Sequence, residues 1–258
     1  MVVLLGGVSM ADSAWAGTIE VDARNSYAEF DIFAGSFGAT ERIQVNDQLT
    51  TLAGAFAFAR AGVVDVVDAD PFSRGDATTS GSLSVSDNVF QPNASSLRVE
   101  GMRSAVSQSE SIQNGAVGFA KLQQILVVDF SVLGSDAYYQ ISGSFDDGAD
   151  RNNTNFSAGR LSLNQRNSPN TLFAYTTASL LSASGWLTAG TSYRLELRMT
   201  DDMAVGAGNT LESDTSHVNF LFTVSPVPEP SSALMFGVGL VALLAHRRRR
   251  AGKQSPAH

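Results

Sequence analysis

Apolar and polar residues alternate with a period of two over several short stretches, the mark of strands with one buried face. In residues 193–199, Tyr193, Leu195, Leu197 and Met199 fall on one side, with Arg194, Glu196 and Arg198 on the other. In 217–224, Val218, Phe220, Phe222 and Val224 alternate with His217, Asn219, Leu221 and Thr223. In 138–145, Tyr139, Ile141, Gly143 and Phe145 alternate with Tyr138, Gln140, Ser142 and Ser144. Weaker copies lie at Thr18–Asp22, Ser82–Phe90, Leu97–Gly101 and Leu161–Asn164. Gln124–Val132 is more continuously apolar and predicts a central strand buried on both faces. Short one-sided strands separated by Gly, Asn, Asp and Ser predict an all-β domain, an antiparallel β-sandwich or jelly roll. Asn114-Gly115 and Asp147-Gly148 are hairpin turn signals. Leu49–Ala61 is ambiguous: its Ala, Leu and Phe content suits a short helix, whereas Phe56, Phe58 and Arg60 alternate like a strand. Asp68–Ser80, rich in Pro, Gly, Asp and Thr, reads as a long loop. No internal repeat of fixed period is present, which argues against a solenoid or propeller.

Both ends of the chain depart from this pattern. Residues 1–16 contain the apolar run Val2–Val8 and then Ala14-Trp15-Ala16, the small-x-small spacing that signal peptidase accepts. Cleavage after Ala16 would leave Gly17 first. No Lys or Arg precedes the run, so the signal reads as incomplete; a buried N-terminal strand is the alternative. At the other end Val227-Pro228-Glu229-Pro230 is followed by Ser231-Ser232, and then by an uncharged run over 233–245. Its apolar members are Ala233, Leu234, Met235, Phe236, Val238, Leu240, Val241, Leu243 and Leu244. Four arginines, Arg247, Arg248, Arg249 and Arg250, close the segment. Thirteen helical residues span about 20 Å, short of the roughly 30 Å hydrocarbon core. Including the two serines, and letting arginines snorkel, narrows the gap. Clustered arginines hold such a tail on the cytoplasmic side, leaving the bulk of the chain outside. Two prolines fix φ and remove backbone donors, so the preceding segment stays extended and open to a processing enzyme.

This three-part ending resembles the PEP-CTERM sorting signal of Gram-negative bacteria over residues 226–250. The resemblance implies recognition by a membrane-embedded exosortase that cleaves near the Pro-Glu-Pro. Pro228, Glu229 and Pro230 would then be the recognised motif, 231–246 a transient transmembrane segment, and Arg247–Arg250 the stop-transfer charges. The implied organisation is a signal segment at 1–16, a β-sandwich ectodomain at 17–225 and a sorting tail at 226–258. Leu187-Thr188-Ala189-Gly190-Thr191-Ser192-Tyr193-Arg194-Leu195 looks like the L-x-A-G-x-x-Y-x-L edge of many exported β-sandwich modules. Its physical content is a Gly turn leading into an alternating strand.

Composition narrows the chemistry. The 258 residues hold 17 Lys+Arg against 25 Asp+Glu, a net charge of −8, and no cysteine. Disulfide scaffolds, zinc–thiolate sites, iron–sulfur clusters and cysteine nucleophiles are excluded, and the acidic balance argues against nucleic acid as a partner. Setting aside Arg247–Arg250, Lys253 and Asp12, residues 17–230 hold 12 basic against 24 acidic side chains, a net −12. Lys121 is the one lysine there, and His217 the one histidine. No Gly-x-Ser-x-Gly elbow accompanies His217, so a Ser-His-Asp triad has no support, and a zinc site with several histidines is impossible in that span. No phosphate-binding glycine loop stands out.

Carboxylates and aromatics remain. Asp146, Asp147, Asp150 and Asn152 cluster around Gly148 with enough oxygens for Ca²⁺, without EF-hand spacing; a polar hairpin loop is the plainer reading. Asp65, Asp68 and Asp70 form a second acidic group. Tyr138, Tyr175 and Trp186 are candidates for stacking on sugars, or else for core packing. The expectation is an exported, exosortase-processed surface or matrix protein without catalytic residues or an obligate cofactor, Ca²⁺ being the one candidate. Its expected partners are exosortase, the membrane transiently, and exopolysaccharide. The rivals are a carbohydrate-active enzyme working through carboxylates, and a permanently tail-anchored protein.

Overall fold

The computed structural model describes residues 18–68, 75–93, 95–112, 115–146, 156–176, 179–206 and 210–226, together with Leu243. The signal segment with Ala14 and Ala16 lies outside the described residues. So do the sorting motif Val227–Pro230 and, apart from Leu243, the apolar run and arginines of the tail.

From Thr18 to Pro226 every described element is a strand. They are β1 (Thr18–Ser36), β2 (Ala39–Leu49), β3 (Phe56–Val67), β4 (Asp76–Asn93), β5 (Ser96–Ser111) and β6 (Val117–Leu133). They continue with β7 (Ala137–Asp146), β8 (Phe156–Gln165), β9 (Thr171–Tyr175), β10 (Ser179–Leu187), β11 (Thr191–Val205) and β12 (Thr210–Pro226). One antiparallel sheet runs β2-β1-β6-β11-β8-β9 and the other β10-β7-β12-β5-β4-β3. They pack face to face: β1 over β3 and β4, β6 over β4 and β5, β11 over β5 and β12. The all-β sandwich follows from the alternation, because each strand has one apolar face to bury.

The phase of the three clearest strands agrees with the sequence. Tyr193, Leu195, Leu197 and Met199 are buried on β11, and Val218, Phe220, Phe222 and Val224 on β12. On β7, Tyr139, Ile141 and Phe145 are buried, whereas Gly143 is exposed. Several expectations are corrected. Leu49–Ala61 contains no helix: β2 ends at Leu49, residues 50–55 form a loop, and β3 starts at Phe56. Phe56 and Phe58 point inward and Arg60 is exposed. The loop expected over Asp68–Ser80 is shorter, since β4 begins at Asp76 and pairs there with Val67. β6 is central in its sheet but alternates; Ile125 and Val127 are only partly buried on its outer side, so the strand is not buried on both faces. Neither turn signal makes a hairpin. Asn114-Gly115 leads from β5 to β6 and Asp147-Gly148 from β7 to β8, and each step crosses between the sheets.

The L-x-A-G segment, which leads from β10 in one sheet to β11 in the other, is held by hydrogen bonds. Gly190 takes φ +74°, a left-handed conformation that favours glycine. Its N–H donates to the Val132 carbonyl (2.7 Å), and the Ala189 N–H donates to Asp136 Oδ1 (2.9 Å). The Thr188 N–H donates to the hydroxyl of buried Tyr193 (2.8 Å).

The interior holds two apolar clusters. One includes Leu126, Val128, Phe130, Val99, Leu195, Phe220 and Phe222; the other includes Phe30, Ile32, Val85, Ala105, Leu122 and Met203. Where they meet, the inward positions are polar on strand after strand: Arg24 and Ser26 on β1, Asp87 on β4, Arg103 on β5, Gln124 on β6, Asp201 on β11 and Ser216 on β12. All seven are buried. Asp87 accepts from Arg103 Nη2 (2.6 Å) and from the Ser26 hydroxyl, and lies 3.5 Å from Arg24 Nη2. Arg24 Nη1 also donates to the Gly54 carbonyl (2.8 Å). Desolvation lowers the pKa of Arg24, with Asp87 opposing it. Ser216 donates to Asp201 (2.6 Å). The belt is a layer of buried polar groups between two apolar halves, with Arg24, Ser26 and Arg103 gathered on Asp87 and Ser216 bonded to Asp201.

Candidate functional site

The strand directions give the sandwich two different ends. At one end Thr18, the first residue of β1, pairs with Leu133, and Pro226, the last of β12, pairs with Ala137. Both termini of the described domain therefore leave beside the β6–β7 turn at 134–136. The Val-Pro-Glu-Pro motif begins at the next residue, Val227, with no linker between it and a strand flanked by β7 and β5. At the opposite end β3 gives way to β4, Val67 pairing with Asp76, while β7 stops short of that end, Asp146 pairing with His217 near the middle of β12. At about 3.3 Å per residue the 17-residue β6 puts the two ends roughly 50 Å apart.

Asp65 and Asp68 belong to that far end and Asp146 to the level of mid-β12, so the fold keeps the acidic groups apart. Asp146 ends β7 and Asp68 follows β3, with β12, β5 and β4 between them. Asp147, Asp150, Asn152 and Asp70 lie outside the described residues. Asp146 Oδ2 stands 3.8 Å from His217 Nδ1, a surface pair of the kind that contributes little. Asp65 accepts from the Thr78 hydroxyl (3.1 Å). Among the described residues no group of three or more His, Asp or Glu could hold a metal ion.

Two of the three aromatic candidates come together. Tyr138 and Trp186 pair directly across β7 and β10, with ring centroids 5.4 Å apart, edge to face. Both are exposed, Trp186 by 61%, and Tyr138 pairs on its other side with Ser225 of β12. Tyr175 is elsewhere: it packs on Phe173 (5.7 Å), and its hydroxyl accepts from the Ser182 N–H (3.1 Å).

Further along the same outer face a groove of about 300 Å³ crosses β5, β12 and β7. Its walls carry Glu100, Met102, Ser142, Ser144, Asn219 and Leu221. Its shape has a backbone cause. Gly143 takes φ +143°, and a Cβ there would stand 2.0 Å from the Asn219 carbonyl oxygen, so only a glycine lets β7 approach β12 this closely. The sequence marked Gly143 as one more alternating position and did not flag this groove.

Elsewhere the buried carboxylates are engaged. Asp31 is held by Arg42 through two bonds (2.8 and 2.5 Å), and Asp129 by Arg194 (2.7 and 2.9 Å). Glu29 accepts from Lys121 (3.1 Å) and from the Tyr27 hydroxyl (3.1 Å). Those bonds raise the pKa of Arg42 and of Arg194. Asp202, paired in register with Lys121, has its pKa raised by burial, with the lysine opposing.

Residues 226–250 match the family model of the PEP-CTERM protein-sorting motif, which marks an exported protein addressed to exosortase. No curated protein and no solved structure matches the chain. Among the described residues no helix is long and apolar enough to cross a membrane.

Proposed function

We propose that the chain is the precursor of a non-enzymatic cell-surface or matrix protein of a Gram-negative bacterium, whose sandwich contacts exopolysaccharide. In this reading residues 1–16 direct export and 17–225 form the ectodomain. The segment 231–246 spans the membrane until exosortase cuts at Val227–Pro230, and Arg247–Arg250 hold the tail inside. The observation that carries the glycan contact is the groove over β5, β12 and β7. Hydroxyls of Ser142 and Ser144, the Asn219 amide and the Glu100 carboxylate surround apolar Leu221 and Met102. Sugars bind where a few placed polar groups border apolar surface. The engagement of Glu29, Asp31, Asp87 and Asp129 by basic side chains supports a role without carboxylate catalysis.

Binding of the released protein to the producing strain's exopolysaccharide tests this reading. Asn219→Ala and Glu100→Gln should weaken binding without moving the melting temperature. Turnover of a polysaccharide, lost on a single Asp→Asn change, would instead make the protein a hydrolase.

A further inference from the structure

The exposed Trp186–Tyr138 pair sits at the end of the sandwich from which the tail departs, one residue in from the ends of β10, β7 and β12. Between Pro226 and the start of the 231–246 segment stand four residues, which reach at most about 14 Å when fully extended. β12 cannot easily lengthen this tether by peeling away. It lies between β7 and β5, and buries Val218, Phe220, Phe222 and Val224. A folded domain on such a leash therefore has its exit end within about 14 Å of the bilayer surface, whatever its tilt. The chain's other terminus leaves at the same end, at Thr18. Trp and Tyr pair an apolar body with a polar tip, and favour the zone between water and acyl chains.

We propose that, in the uncleaved precursor, Trp186 and Tyr138 contact the lipid headgroup region and hold the exit end of the sandwich against the membrane beside the sorting motif. The inference rests on the reading of 231–246 as membrane-inserted. The contact belongs to the tethered state. Two aromatics bind a bilayer weakly by themselves, and a short tether supplies the high local concentration that makes the contact persist. The net −12 of residues 17–230 opposes adhesion to anionic lipid, so cleavage frees the domain.

Trp15 and Trp186 are the two tryptophans of the chain, so Trp15→Phe leaves Trp186 as the sole reporter. The full-length W15F chain is inserted into phosphatidylcholine vesicles, checked by flotation, and its fluorescence compared in ordinary and headgroup-proximal brominated lipid. The contact predicts a blue-shifted emission that brominated lipid quenches. A Gly/Ser spacer of about 20 residues between Pro226 and Val227 adds about 25 Å of reach and should abolish both effects while the chain still floats. A chain that floats but keeps solvent-exposed, unquenched Trp186 emission overturns the contact and leaves the tail reading standing. A chain that does not float overturns the tail reading and the contact with it. Quenching that survives the spacer overturns the dependence on the tether. Emission that responds to exopolysaccharide and not to lipid assigns the pair to glycan and overturns the contact.

Discussion

Replacing Asp87 by alanine removes the carboxylate bonded to Arg103, and leaves two guanidinium groups in the middle of the sandwich. Asp87 and both arginines are buried, and Arg103 Nε and Nη1 already have no hydrogen-bond partner among the described residues. The neighbouring apolar clusters offer them none. Breaking a buried ion pair in this way costs about 3–5 kcal/mol, because an uncompensated charge stays desolvated. For a domain of this size that lowers Tm by about 6–20 °C, at 2–4 °C per kcal/mol, and consumes a large share of a typical 5–15 kcal/mol stability. The assay is urea unfolding followed by circular dichroism, with Asp87→Ala beside the triple variant Arg24→Met, Asp87→Leu, Arg103→Met. The triple change removes every charge of the cluster at once, and should be neutral or stabilising by about 1–4 kcal/mol. An Asp87→Ala protein within about 0.5 kcal/mol of wild type, the range of ordinary surface changes, would refute the description of the belt as a paired buried cluster.

Two further outcomes follow from single positions. Gly143→Ala places a methyl group on the Asn219 backbone at a φ that L-residues rarely adopt, and should cost ~3 kcal/mol by overpacking and strain, read as a Tm loss; an unchanged Tm would show that β7 and β12 can move apart. Because burial raises the pKa of Asp202 above its unfolded value, the folded state favours its protonated form, and its contribution to stability falls as pH rises through the upper carboxylate range. Asp202→Asn should therefore raise Tm at pH 7 and leave it unchanged near pH 3, whereas a loss at pH 7 would mean that the attraction of Lys121 outweighs desolvation.

Alternation fixes the faces of β7, β11 and β12 because the inward residues of 137–145, 193–199 and 218–224 are apolar apart from Gly143; Asp201 and Ser216 lie outside those stretches. It failed where inward positions are polar. Arg103 stands in the apolar phase of β5 between Val99 and Ala105, so the period appears broken and only Leu97–Gly101 reads as a strand, although β5 runs on to Ser111. Ser107, Ser109 and Ser111 extend the same inward face and are also buried. In β1 the alternation breaks in the same way at Arg24 and Ser26, so only Thr18–Asp22 reads as a strand although β1 runs to Ser36, and its outward Glu29 and Asp31 are buried beneath Lys121 and Arg42. The turn signals located changes of direction correctly but carry no information on which sheet receives the next strand. That choice depends on long-range packing, so the separation of Asp146 from Asp68 was invisible. The tail was the most legible feature because its meaning lies in local order: a Pro-Glu-Pro, an uncharged run and four arginines. The pairing of Tyr138 with Trp186 required the register of β7 against β10, which joins residues 48 positions apart in the chain.

Removal of the tail during export is the step on which the proposed function depends. Intact mass of the protein recovered from the surface or medium of the producing cell measures this directly. Cleavage near Val227–Pro230 predicts a species lacking Ala233–Arg250, and deletion of the exosortase should convert it to one that retains them. A surface or released protein that still carries Ala233–Arg250 in cells with active exosortase would contradict the account.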